Sequence, residues 1–140
     1  FVLNKLYSKN YPIIDKSLLI WQLIYLIFIL LGSCYGLYDK IKIYDDFLHF
    51  WSGFITFKIG CNILNFLNIE NSSSKITILI FILFFSIGIS GFFEISEYTL
   101  DTVFGKNTQV GGLKDTMQDM IDALVGSLIM SMYFFRKIKK

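Results

Sequence analysis

Disulfide and soft-metal chemistry have little to work with in this chain. Of its 140 residues two are cysteine, one is histidine and one is proline. Cys34 and Cys61 both fall inside long apolar runs, with no CxxC or Cys/His spacing, and read as small apolar packing residues. One proline and no Pro/Gly-rich stretch leave no linker, so the length suits a single small domain. The formal net charge is only +2 and the cations are scattered, which excludes a nucleic-acid-binding face. No Ser or Cys nucleophile motif is present. The first apolar run is too long for a signal h-region and has no small-residue cleavage site.

What the chain has is apolar length. Hydrophobic residues make up 54% of it and the mean hydropathy is +0.58, a membrane composition. Crossing a bilayer takes about 20 apolar residues per helix. Four segments reach that length: 17–38, 47–69, 76–97 and 115–135. The last is instructive. Its uncharged part, 123–135, is too short to cross, so a span there draws Asp119 and Asp122 below the membrane surface. The expected fold is all-α, an integral membrane bundle of four transmembrane helices with short loops. A four-span domain at 17–135 then lies between an N-terminal segment, 1–16, and a basic tail, 136–140.

Four spans put both ends on one side. Lys5, Lys9, Lys16, Lys75, Arg136, Lys137, Lys139 and Lys140 lie on that side, against Lys40, Lys42, Lys106 and Lys114 on the other. The excess places the termini in the cytoplasm. Residues 98–114 form the longest link, with Gly105, Asn107, Gly111 and Gly112 as turn-formers.

The acidic residues gather at the opposite end. Nine of the eleven, Asp39, Asp45, Asp46, Glu94, Glu97, Asp101, Asp115, Asp119 and Asp122, fall near three segment ends with the sole histidine, His49. A helix turns about 100° per residue. One face of the second span therefore carries Asp45, His49, Ser52, Gly53 and Thr56. The third carries Ser90, Glu94, Glu97 and Asp101, and the fourth Asp115, Asp119, Asp122 and Gly126. Ionisable groups at that depth cost several kcal/mol unless paired, hydrated or metal-bound. The stripes should face one another across a wet cleft.

Oxygen ligands with one imidazole suit a divalent cation such as Mg, Mn, Zn or Fe. The candidate ligands are Asp45, His49, Glu94, Glu97, Asp115 and Asp119, with His49, Glu94 and Glu97 as candidate catalytic groups. Asp46, Asp101 and Asp122 rank lower, as rim residues, helix caps or partners of nearby lysines. Lys58, mid-span and turned away from His49, either snorkels to an interface, pairs across the bundle or contacts lipid headgroups. Gly88 and Gly91, with Ser90, offer close helix approach. Trp21, Trp51, Phe92, Phe93 and Tyr98 read as membrane belt or packing.

Three segments together resemble YjdF-type bacterial inner-membrane proteins, a group of uncharacterised function related to the VanZ-like proteins. Residues 44–54, Tyr-Asp-Asp-Phe-Leu-His-Phe-Trp-Ser-Gly-Phe, are like that group's Y-D-x-x-x-H-F-x-x-G-F. Phe93-Glu94-Ile95-Ser96-Glu97-Tyr98 is like its Y-E-x-x-E-W, with Tyr98 where the group tends to have Trp. Asp115 to Met120, with Ala123, Leu124 and Gly126, is like its D-T-x-x-D-M-x-x-A-L-x-G, and Thr108-Gln109 precedes it like the group's T-Q. The resemblance covers about residues 44–135. It implies that Asp45, His49, Glu94, Glu97, Asp115 and Asp119 are the motif positions, in a bacterial inner membrane.

Three functions fit this constellation. One is a divalent-metal-dependent hydrolase acting at the lipid headgroup level, with water as the attacker. A second is a cation- or solute-binding or transport protein. The third is a membrane partner whose acidic rim docks another protein. The bilayer itself is the expected partner, with a homo-oligomer compatible and the substrate unnamed.

Overall fold

The structure, a computed structural model, describes residues 15–69, 73–106, 108–109 and 111–137. The expected N-terminal segment through residue 14 and the tail beyond residue 137 lie outside the described residues. Among the described residues five helices follow in order: α1 (Lys16–Tyr35), α2 (Leu37–Lys40), α3 (Tyr44–Phe66), α4 (Lys75–Phe104) and α5 (Leu113–Lys137). No strand occurs among the described residues.

The helix ends follow local chemistry. Asp15 caps α1 by accepting a hydrogen bond from the Leu18 amide at 2.8 Å, satisfying an amide with no partner inside the helix. Gly36 ends α1 in the left-handed region at φ 61°, where a side chain is strained. The expected first span, 17–38, is therefore broken there, and residues 37–40 start a separate turn of helix. Ser74 caps α4 through the Thr77 amide. α4 runs to Phe104 before Gly105 closes it, two turns past the expected end of the third span at 97. The link expected over 98–114 thus shrinks to the residues between Phe104 and Leu113.

The centre of the bundle is α3, which packs against α1, α4 and α5. Among the described residues α1 touches only α3 and the short α2. The Tyr44 hydroxyl donates to the Phe28 carbonyl at 2.6 Å, and Phe28 packs its ring against Phe47 and Trp51. Trp51 is a packing residue here, as expected. α3 and α5 approach most closely. A Cβ at Gly53 would fall onto the Ala123 carbonyl oxygen, and one at Gly126 onto the Phe50 carbonyl oxygen. The small residues that permit the approach are therefore Gly53 and Gly126. Gly88 faces open space and Gly91 meets only the tip of Met120, so the approach expected there does not occur.

Phe57, Leu64, Ile78 and Ile82 form an apolar core away from the acidic end, joined by Cys61, Met130 and Phe134. Cys61 packs as expected, whereas Cys34 is exposed on α1. Large apolar side chains cover the outside, including Leu23, Leu30, Phe84, Phe92, Ile121 and Leu128. Among the described residues two helices, α1 and α4, are long and apolar enough to cross a membrane. α3 and α5 have comparable length, but their polar stripes lower their hydropathy.

Candidate metal centre

The first turn of α3 carries Asp45, and the next turn carries His49 on the same face. His49 Nε2 lies 3.7 Å from Asp45 Oδ1 and 3.9 Å from Asp119 Oδ1 on α5. Both separations exceed a hydrogen bond. They are close to the spacing of two atoms that ligate one ion at about 2.1 Å each, which is about 3.4 Å in a tetrahedral site. The α3–α5 crossing sets this geometry, because Gly53 and Ala123 each sit one helical turn inward of His49 and Asp119.

Glu94 enters from α4. Glu94 is 4% exposed and Asp119 3% exposed. Each has one buried carboxylate oxygen, Glu94 Oε1 and Asp119 Oδ1, without a hydrogen-bond partner. A buried carboxylate oxygen without donor or counter-charge is costly, so the arrangement asks for a cation or bound water.

Among the described residues three sets of side chains bring ligand atoms within 4.8 Å of one another: Asp45, His49 and Asp119; His49, Glu94 and Glu97; and Asp46, Asp119 and Asp122. Five of the six higher-ranked candidates are thus brought together around His49, from three helices. Asp115 joins none of these sets. It sits one turn above Asp119 with its side chain against Gly111. Asp46 and Asp122, ranked lower from sequence, reach Asp119.

Asp101 serves the loop. Its carboxylate accepts from the Thr108 hydroxyl at 2.6 Å, the Thr108 amide at 2.8 Å and the Gln109 amide at 2.9 Å. The Gln109 side-chain amide then donates to the Thr116 hydroxyl and the Glu94 carbonyl. The Thr108-Gln109 pair therefore straps the loop over the acidic ends of α4 and α5. Asp39 is exposed on α2 and joins no set.

Below the carboxylates the interior stays polar for a few turns. Thr56 and Ser86 hydroxyls hydrogen-bond at 2.6 Å, and Ser90 and Ser127 bury hydroxyl oxygens without partners. Ser127 and Ser131 were not singled out from sequence, although their four-residue spacing below Asp119 and Ala123 marks the same face. Asp15 was also missed. An Asp just before an apolar run is a helix-start signal that could have found it.

The chain belongs to the family described as "Predicted membrane protein (DUF2238)", whose family model matches residues 2–140. No curated protein and no solved structure matches it. It is a membrane protein of an all-helical fold.

Proposed function

We propose that this membrane protein holds a divalent cation between α3, α4 and α5 and uses it to hydrolyse a phosphate or carboxylate ester at the lipid headgroup level. The observation that carries the reading is the pair of buried, unpartnered carboxylate oxygens, Glu94 Oε1 and Asp119 Oδ1, beside the only histidine. Mg, Mn, Zn or Fe would suit the donor set of one imidazole nitrogen and several carboxylate oxygens. His49, Glu94, Asp119 and Asp45 are the ligands in this reading. Glu97, less buried than Glu94, takes the proton from the attacking water. Water oxygen bonds to phosphorus or carbonyl carbon, the ester bond breaks, and the leaving alcohol carries away a proton.

The same reading has α3 and α5 crossing the bilayer beside α1 and α4. In its favour, α5 packs along α3 and turns Met117, Ile121, Leu128, Ile129 and Met132 outward. The lysine excess puts the termini in the cytoplasm and the carboxylates on the outer side. The bacterial inner membrane and the kinship with YjdF-type and VanZ-like proteins rest on the three motifs.

Cation or solute transport is a second reading, favoured by the hydroxyls of Ser90, Ser86, Thr56, Ser127 and Ser131 leading inward. Ile82 and Phe57 then meet this column with the apolar core, which weighs against a continuous path.

Metal content of protein purified in detergent without chelators tests the proposal. Near-stoichiometric metal in the wild type, lost in His49→Ala and Glu94→Gln, supports it and justifies assays on lipid-linked phosphates and esters. Folded protein that takes up no metal on titration sinks it.

A further inference from the structure

Resting on the cation reading above, we propose that Ser90 and Ser127 bind an ordered water on the inner side of the cluster and, through it, set the orientation of the Glu94 carboxylate. Three other serines of these helices bond back to their own backbone. Ser52 donates to the His49 carbonyl, Ser96 to the Phe92 carbonyl and Ser131 to the Leu128 carbonyl. Ser90 and Ser127 do not. They are 4% and 0% exposed, and each buries its hydroxyl oxygen without a hydrogen-bond partner.

The two hydroxyls stand at one level. On α4, Ser86, Ser90 and Glu94 follow at four-residue spacing, about 6 Å of rise per step, and so share a face. Glu94 meets His49, and Ser86 hydrogen-bonds Thr56 at 2.6 Å. Ser90 lies between them, level with Ser52 and Gly53, which stand midway from His49 to Thr56 on α3. On α5, the Ser127 amide nitrogen lies 2.9 Å from where a Cβ on Gly53 would stand. Both serines thus reach the three-helix interior beside Gly53, one turn inward of Glu94, whose Oε1 is also buried and unpartnered.

The chemistry of the pair selects the ligand. A serine hydroxyl is neutral, with one donor and two acceptor positions. Two of them with a carboxylate oxygen offer three polar partners, which is what a buried water takes. The hydroxyls carry no charge with which to hold an ion of their own. The water accepts from a hydroxyl and donates to the carboxylate, so Glu94 keeps one oxygen turned inward and presents the other to the ion. Carboxylates that ligate metals are held by such outer partners, and losing one weakens metal binding about 10–100-fold. Ser90 and Ser127 are positioning residues, and neither touches the ion.

Manganese is the probe. Full-length protein in detergent is titrated with Mn2+, and free and bound ion are followed by EPR. Ser90→Ala and Ser127→Ala, made separately so that misfolding of one does not end the test, should each weaken binding about 10–100-fold and change the zero-field splitting of the bound ion. Thr56→Val, which removes the hydrogen bond to Ser86 further in, should lower the melting temperature of metal-free protein and leave both readings unchanged. A crystal structure of the Mn2+-loaded protein should show one water within hydrogen-bond distance of both hydroxyls and of Glu94. Serine variants with wild-type affinity overturn the proposal. A loss in Thr56→Val equal to theirs also overturns it, because the effect is then one of packing. Serine hydroxyls bonded straight to the carboxylate overturn the water. Folded wild type that binds no Mn2+ overturns the cation reading itself, and the positioning role with it.

Discussion

Lys58 Nζ lies 2.8 Å from Asp15 Oδ2, joining the middle of α3 to the start of α1. Of the three fates open to a mid-span lysine, pairing across the bundle is the one realised. The pair sits far from His49, and like the Tyr44 hydroxyl it is a polar tie between α1 and α3. Partial burial pushes the Asp15 carboxyl up, but hydrogen bonds from Lys58, the Leu18 amide and Ser17, with the lysine's charge, hold it well below its ordinary value.

That relationship fixes a pH dependence. A carboxyl whose folded pKa is depressed stabilises the fold above its unfolded pKa, about 4, and loses that stabilisation as pH falls through the folded value. The α1–α3 tie should therefore be intact at neutral pH and weaken only in strong acid. Asp15→Asn, which keeps a capping side chain, should cost on the order of 1 kcal/mol after solvent screening of two side chains about 30% exposed. It should also flatten the acid limb of the melting temperature between pH 5 and pH 2. An unchanged acid limb in this variant would remove the ion pair from the account.

The α3–α5 crossing gives a second expectation. Gly53→Ala or Gly126→Ala drives a methyl into a backbone carbonyl, so the helices must separate, at about 1–3 kcal/mol. His49 and Asp119 ride on that crossing, so metal binding should fall with stability. Gly88→Ala meets open space and should be neutral or stabilising by up to about 1 kcal/mol. Thermal melts of the three variants in one detergent separate these outcomes.

Asp119→Asn and Glu94→Gln should each raise the melting temperature of metal-free protein, because a buried carboxyl oxygen without a partner gives way to an uncharged amide that can donate to the remaining carboxylates. Both should lose the stabilisation that saturating Mn2+ gives the wild type, about 2.7 kcal/mol at a hundredfold excess over Kd. Paired melts with and without Mn2+ read both effects. A metal-free protein destabilised by these neutral substitutions would show that the carboxylates serve packing instead.

Asp101→Ala should free Thr108 and Gln109 and open the loop between α4 and α5 to proteases, with little change in global stability. Thr108→Val, which keeps the amide hydrogen bonds, should give a smaller effect. Limited proteolysis followed by mass spectrometry of the cut sites measures both, and equal cleavage in wild type and variants would deny Asp101 its role.

The helical class and the rough places of the four long helices could be read from the chain, because long apolar runs bounded by Asp, Ser and Gly leave few alternatives. So could the faces that carry Asp45, His49, Glu94 and Asp119, because a fixed turn per residue places them whatever the neighbours do. The break at Gly36 was less legible, since the apolar pattern continues through Tyr38 and only the left-handed backbone reveals the end. The close approach expected at Gly88 and Gly91 falls instead at Gly53 and Gly126, because periodicity shows which residues share a face but not which face meets which helix. Asp46 and Asp122 rank lower from sequence because they are no motif positions and a rim role accounts for them. Their place beside Asp119 depends on how α3 is rotated against α5, and that rotation follows from Gly53 and Gly126 letting two backbones touch. The sequence determined an all-helical membrane protein with its acids at one end. Tertiary packing decided which acids share a site, because ligand distances of a few ångströms depend on interhelical contacts that no single helix encodes.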